Sequence, residues 1–187
     1  MKPIFTIGHS TRALEDFIAL LDAQGVKLLI DVRTMPRSRH NPQFNRETLP
    51  GQLQASSVDY LHIPELGGLR KARPDSLNTA WRNLSFRGFA DYMQTPEFEA
   101  GLLRVIEEAK SRSPALMCAE AVPWRCHRSL IADALVARGL SVFEITSATR
   151  VQPHKMTPFA GVDGNRVTYS DDYAGSTWTN TSATRGR

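Results

Sequence analysis

The chain has 187 residues, enough for one ordinary α/β domain and short for two. Its 41% hydrophobic and 22% charged residues supply a core and exclude a wholly disordered or collagen-like chain, while two cysteines exclude a disulfide framework. The net charge of +4 is too mild to imply nucleic acid by itself.

The N-terminal MKPIFTIGHS lacks the apolar run of a signal peptide, and no stretch approaches the ~20 apolar residues of a membrane span. Two cysteines suit a reducing compartment, so a cytoplasmic location without a membrane partner is expected. The oligomeric state stays open. Within the basic set, 18 Arg stand against 5 Lys, and arginine's planar fork pairs bidentately with phosphate or carboxylate. That charge is local: Arg33, Arg37, Arg39 and Arg46 fall in one stretch that holds no acid.

Pro3 to Gly8 reads as a first strand. Ser10 and Thr11 are N-cap types, and Leu14, Phe17, Ile18 and Leu21 recur at helical spacing until Gly25. Val26 to Val32 reads as a second, buried strand, completing a βαβ unit that favours parallel pairing. A proline-bearing loop from Arg33 to Asn45 precedes a helix near Glu47 to Ser56. Asp59 to Pro64 is a third strand, followed by a Gly67-Gly68 turn expected to need positive φ. Helices are expected around Trp81 to Met93 and from Pro96 to Lys110, the latter capped by Thr95. Trp81, Phe86, Phe89, Tyr92 and Phe98 read as core. Pro114 to Cys118 is a fourth strand, Cys126 to Arg138 a helix closed by Gly139, and Ser141 to Ile145 a fifth strand. The pattern then dissolves, and residues 173–187 read as a loose tail. The expectation is a single α/β domain over residues 1–150: an open, mostly parallel sheet of about five strands with helices on both faces. Residues 151–187 form a partly irregular or flexible C-terminal extension.

Ligands bind such sheets beyond the carboxyl ends of the strands. Gly8, His9 and Ser10 follow the first strand; Asp31, Arg33, Pro36 and Ser38 follow the second. Gly67 and Gly68 follow the third, and Cys118, Glu120, Cys126, His127 and Arg128 the fourth. Their convergence on one sheet edge is the main functional signal. His9, Arg33, Gly67, Glu120 and Cys126 are expected to line one cavity there.

The strings TIGHSTR, IDVRTMPRSR with NPQFN, PELGGLR, FRGFADYM and MCAE–CHR resemble the family called domain of unknown function 488, from Thr6 to about Ile145. The resemblance implies a site at these same strand-end positions and no particular reaction.

The leading functional expectation is an enzyme acting on a phosphate-containing or nucleotide-like anion. Cys126, at a helix start beside Arg125 and Arg128, is the candidate nucleophile and is expected to be more reactive than Cys118, a small buried hydrophobe. Glu120 is the candidate acid or base, His9 and His127 are candidate bases, and Asp31 has either a chemical or a loop-bonding role. Gly8, Ser10, Arg33, Pro36, Ser38, Gly67, Gly68, Cys118, His127 and Arg128 are candidate ligand contacts.

Rhodanese- or phosphatase-like thiol chemistry is a related alternative, since IDVR and RSLIADALVARGLSVFEI resemble rhodanese segments. However, a cysteine, five residues and an arginine would need Arg at position 124, which is Trp124. A second class is a nucleic-acid-binding module without catalysis, using Arg33, Arg37, Arg39, Arg46, Arg70, Lys71 and Arg73. For a metal, Cys118, Glu120, Cys126 and His127, with distant His9 or His62, are suitable ligand types. The eight-residue step between the cysteines matches no usual zinc pattern, so neither metal nor cofactor is expected. GxSxG, P-loop, GxGxxG and HExxH signatures are absent.

Overall fold

The computed structural model describes residues 1–171. Strands β1 (Ile4–Gly8), β2 (Leu28–Asp31), β3 (Asp59–His62), β4 (Pro114–Cys118), β5 (Val142–Ile145) and β6 (Val151–Pro153) form one sheet in the order β3-β2-β4-β1-β5-β6. The first five strands are mutually parallel; β6 runs antiparallel to β5. The α/β single-domain expectation holds, with a sixth strand making the sheet mixed. β1, β2 and β4 are buried at every residue, so they read as near-continuous apolar runs rather than alternating ones, interrupted only by Thr6 in β1 and by Asp31 at the end of β2.

Helices cover both faces. On one face, α1 (Leu14–Ala23) and α2 (Leu49–Gln54) pack through Phe17, Leu21, Leu49 and Leu53 against Phe5, Ile7, Leu29 and Met117. On the other, α3 (Leu84–Tyr92), α4 (Pro96–Glu108) and α5 (Arg128–Ala137) pack through Phe89, Phe98, Leu102 and Leu130 against Leu28, Ile30, Leu116 and Val142. Phe89 and Phe98 are core as expected; Trp81, Phe86 and Tyr92 are only partly buried against it. Thr95 caps α4 by accepting from the Phe98 N–H at 3.3 Å, with Pro96 opening the helix.

Two local readings need correction. Residue 13, not Ser10 or Thr11, precedes α1: the Arg12 N–H bonds to the His9 carbonyl, and Ser10 sits at φ 52 in a turn that delays the helix. Neither Gly67 nor Gly68 has a positive φ. The last described segment is partly irregular and partly regular. It supplies β6 and a two-stranded antiparallel sheet, β7 (Gly161–Asp163) with β8 (Arg166–Thr168). Tyr169 beyond β8 is fully buried, its hydroxyl donating to Asp133 of α5 at 2.8 Å. The tail expected at residues 173–187 lies outside the described residues. Among the described residues, no helix is long and apolar enough to cross a membrane.

Candidate active site

Parallel pairing puts the carboxyl ends of β1 to β4 at one edge, and the register is direct: Gly8 stands opposite Cys118, and Asp31 opposite Met117 and His62. A cavity of about 380 Å³ opens there. Arg33, Gly68, Cys118, Glu120, Cys126 and His127 line it. Met35, Leu69 and Phe86 add an apolar wall, with Met35 and Leu69 largely exposed at its mouth.

Cys118 closes β4. The chain then leaves the sheet through Ala119 to Val122, turns through the 3-10 segment Pro123–Arg125, and returns at Cys126, whose N–H bonds to the Pro123 carbonyl. Helix α5 begins only at Arg128, so Cys126 lies before the helix in extended backbone (φ −130°, ψ 138°). The helix-start argument for a reactive Cys126 thus loses its geometry. Arg128 is itself fully buried: it donates to the Glu120 carbonyl and, at 2.9 Å, to the Ala121 carbonyl. This guanidinium holds the loop rather than facing the cavity.

His127 brings the two sulfurs together. Its Nε2–H donates to the Val32 carbonyl at 3.1 Å, which leaves Nδ1 facing Cys118 Sγ at 3.9 Å and Cys126 Sγ at 3.8 Å. Gly68 makes room for that ring. Gly8 plays a similar part for the loop, since a β-carbon there would lie 1.9 Å from the Glu120 carbonyl oxygen. Both cysteines are unpaired and almost inaccessible. The hydrogen bond from Cys126 holds the Cys118 thiol well below its ordinary value against the effect of burial, with His127 adding to it. The same bond, then burial, push Cys126 well up. That order is opposite to the one expected from the sequence.

Behind the cavity lies a buried polar array. Asp31, with no exposed surface, accepts from the Arg33 Nε at 2.9 Å, the Arg33 terminal nitrogen at 2.6 Å and the Tyr60 hydroxyl at 2.7 Å. Burial opposes the Arg33 charge, but these bonds and the Asp31 charge outweigh it and keep the guanidinium protonated. Burial, reinforced by Asp31, raises the Tyr60 hydroxyl. Arg33 also donates to the Phe44 carbonyl at 2.7 Å and contacts His9 Nε2 at 3.2 Å. His9 is buried, stacks on Phe44 at 4.3 Å and donates through Nδ1 to the Ser10 carbonyl; burial lowers its basicity.

The structure therefore brings Arg33, Glu120 and Cys126 to one cavity, but leaves His9 and Gly67 behind its wall. Gly8, Ser10 and Asp31 support the wall without lining it, and Pro36 and Ser38 belong to the outer loop, where the Ser38 N–H bonds Asn45. Residues missed as site residues are Thr34, Met35, Leu69, Ser85, Phe86 and Ala119. Of these, Leu69 had a signal: an apolar side chain directly after a glycine pair at a strand end. Arg125, one of the polar residues that follow the fourth strand, is exposed on the cavity rim and without a partner among the described residues.

Fold and site together define an α/β protein with a strand-end cavity carrying a thiol–thiol–imidazole cluster. A family model described as Domain of unknown function DUF488 matches residues 13–135, more than half of the chain, and the protein belongs to that family. No curated protein and no solved structure matches it.

Proposed function

We propose that the protein is an enzyme whose reactive centre is the Cys118–Cys126–His127 cluster, acting on a small phosphate-bearing or nucleotide-like substrate. The observation that carries this reading is the imidazole Nδ1 turned toward two sulfurs on the wall of an open cavity. The cluster supplies soft sulfur donors and a proton-accepting nitrogen in one place. Arg125 is the cation available to an anionic group, while Met35, Leu69 and Phe86 suit an apolar or planar body. Glu120, exposed at the rim, is placed to exchange protons with solvent. Unpaired cysteines fit a reducing, cytoplasmic setting.

Side-chain partners weigh against the nucleic-acid module. Arg33 is committed to Asp31, Arg46 contacts His62, Arg70 lies over the Tyr92 ring and Arg73 pairs with Asp75. Arg37, Arg39 and Lys71 remain outward for a polyanion.

The test is a thermal-shift and turnover screen with phosphate esters, nucleotides and a short oligonucleotide. Stabilisation by a nucleotide that Arg125→Ala weakens, and turnover that Cys118→Ser loses, are expected, with Arg37→Ala unchanged. Oligonucleotide binding that collapses with salt, without any small-ligand effect, would instead favour the binding module.

A further inference from the structure

We propose that Cys118, Cys126 and His127 are the three protein ligands of a zinc-class divalent ion whose fourth position opens into the cavity. The role of that fourth position rests on the enzyme reading above; the existence of the site does not.

The ligand atoms of the three residues all lie within 4.8 Å of one another. A tetrahedral zinc with Zn–S near 2.3 Å and Zn–N near 2.0–2.1 Å would set each N···S edge at about 3.6 Å. The observed edges are 3.9 and 3.8 Å, so an ion at the centre needs each to shorten by only about 0.2–0.3 Å. Two thiolates and an imidazole are the donor set that selects zinc-like ions over magnesium or calcium.

The surroundings are those a metal-binding imidazole requires. Donation from Nε2 to the Val32 carbonyl fixes the ring and leaves Nδ1 as the donor atom, an outer-shell arrangement recurrent at metal centres. Two adjacent buried sulfurs cannot both ionise without a counter-charge. A divalent cation between them supplies it, and loading displaces whatever proton the pair still holds as two metal–sulfur bonds form.

Two sequence features stand against a metal, the eight-residue step and the presence of only two sulfurs; the fold removes the first, and the imidazole with an open fourth position answers the second. The 3-10 turn at Pro123–Arg125 carries the chain out and back, while Arg128 pins the carbonyls of Glu120 and Ala121, so the two sulfurs meet despite their separation. All three ligands line the cavity. Three protein ligands with an open position are the arrangement of catalytic rather than structural zinc.

The probe is Co²⁺, titrated into the reduced full-length protein, with Zn²⁺ as competitor. One equivalent should bind, with thiolate-to-cobalt charge-transfer absorption and the d–d bands of a tetrahedral ion, and zinc should displace it. Cys118→Ser and Cys126→Ser should each weaken binding by at least about 100-fold, more than even an outer-shell partner is worth. His9→Ala should leave it unchanged. Circular dichroism checks that each variant folds; His127→Cys, which retains three ligands, should still bind cobalt with a stronger charge-transfer band. A reduced protein that takes up neither ion at micromolar concentration overturns the proposal, as does uptake that survives both cysteine substitutions. Stoichiometric metal in a protein inert toward every phosphate ester sinks the enzyme reading and leaves the metal site standing. Turnover by a protein that binds no cobalt does the reverse.

Discussion

A β-carbon added at Gly68 would stand 2.4 Å from His127 Nδ1, so glycine and imidazole share one space. Gly68→Ala should push the ring off the sulfurs at a cost of about 1–3 kcal/mol, because a side chain can swing away. Gly8→Ala should cost more, since the atom it meets at 1.9 Å is loop backbone. Urea unfolding of the two variants checks the order. Equal costs would mean that the 119–121 loop yields as readily as a side chain.

The Asp31–Arg33 pair is a buried ion pair, with side chains 0% and 7% exposed. Asp31→Ala should destabilise by about 3–5 kcal/mol, because it strands a guanidinium without a counter-charge. An apolar double variant, Asp31→Leu with Arg33→Met, should recover much of that loss. A double-mutant cycle measures the difference. An Asp31→Ala cost below about 1 kcal/mol would show that water reaches Arg33 and that the pair is not dry.

His154 links the end of the main sheet to α5. Its ring bonds Asp133 through Nε2 and Glu144 through Nδ1, both at 2.8 Å, and Arg128 and Tyr169 face the same carboxylates. Burial opposes the imidazolium, but the two carboxylates outweigh it and raise its pKa to about 9. A raised folded-state value means the stabilisation is complete below about pH 6.5 and is lost as pH rises toward 9. The loss should be of order 2–4 kcal/mol, and His154→Gln should flatten the slope. Urea unfolding at pH 6.5, 8 and 9.5 reads it. A wild type with flat stability over that window would contradict the charged imidazole.

Tyr169→Phe removes a hydroxyl that donates to Asp133 at 2.8 Å from a fully buried position. The expected cost is about 1.5–3 kcal/mol, as for a hydrogen bond to a charged acceptor. Thermal unfolding should remain a single transition, because Ala160, Val167 and Tyr169 belong to the same core cluster as Leu130 and Ala134 of α5. A separate low-temperature transition would make them an independent unit.

The strands were legible because buried parallel strands are near-continuous apolar runs, as PALMC is throughout and PIFTIG is apart from Thr6. Parallel pairing then obliged Gly8, Asp31 and Cys118 to share an edge, where the cavity opens. The chemistry was less legible. Cys126 looked like the first residue of a helix, and nothing local announces that Pro123–Arg125 turns the chain before α5. Arg128 looked like an anion clamp, whereas two loop carbonyls 7 and 8 residues back consume it. Strands of three residues, such as those after Thr146, are too short to show a period.

Gly8 pairs with Cys118, and Asp31 with Met117, each across a long stretch of chain. During synthesis, β1 and β2 emerge long before the strand that must slot between them. The site therefore has no precursor: until β4 and the His127 segment leave the ribosome, the early strands lack the neighbour that holds them. Such long-range closure is a slow step in folding. Translation pauses and chaperone contacts before residue 128 would act on a chain with an open sheet edge, and the thiol–imidazole cluster cannot assemble before that point.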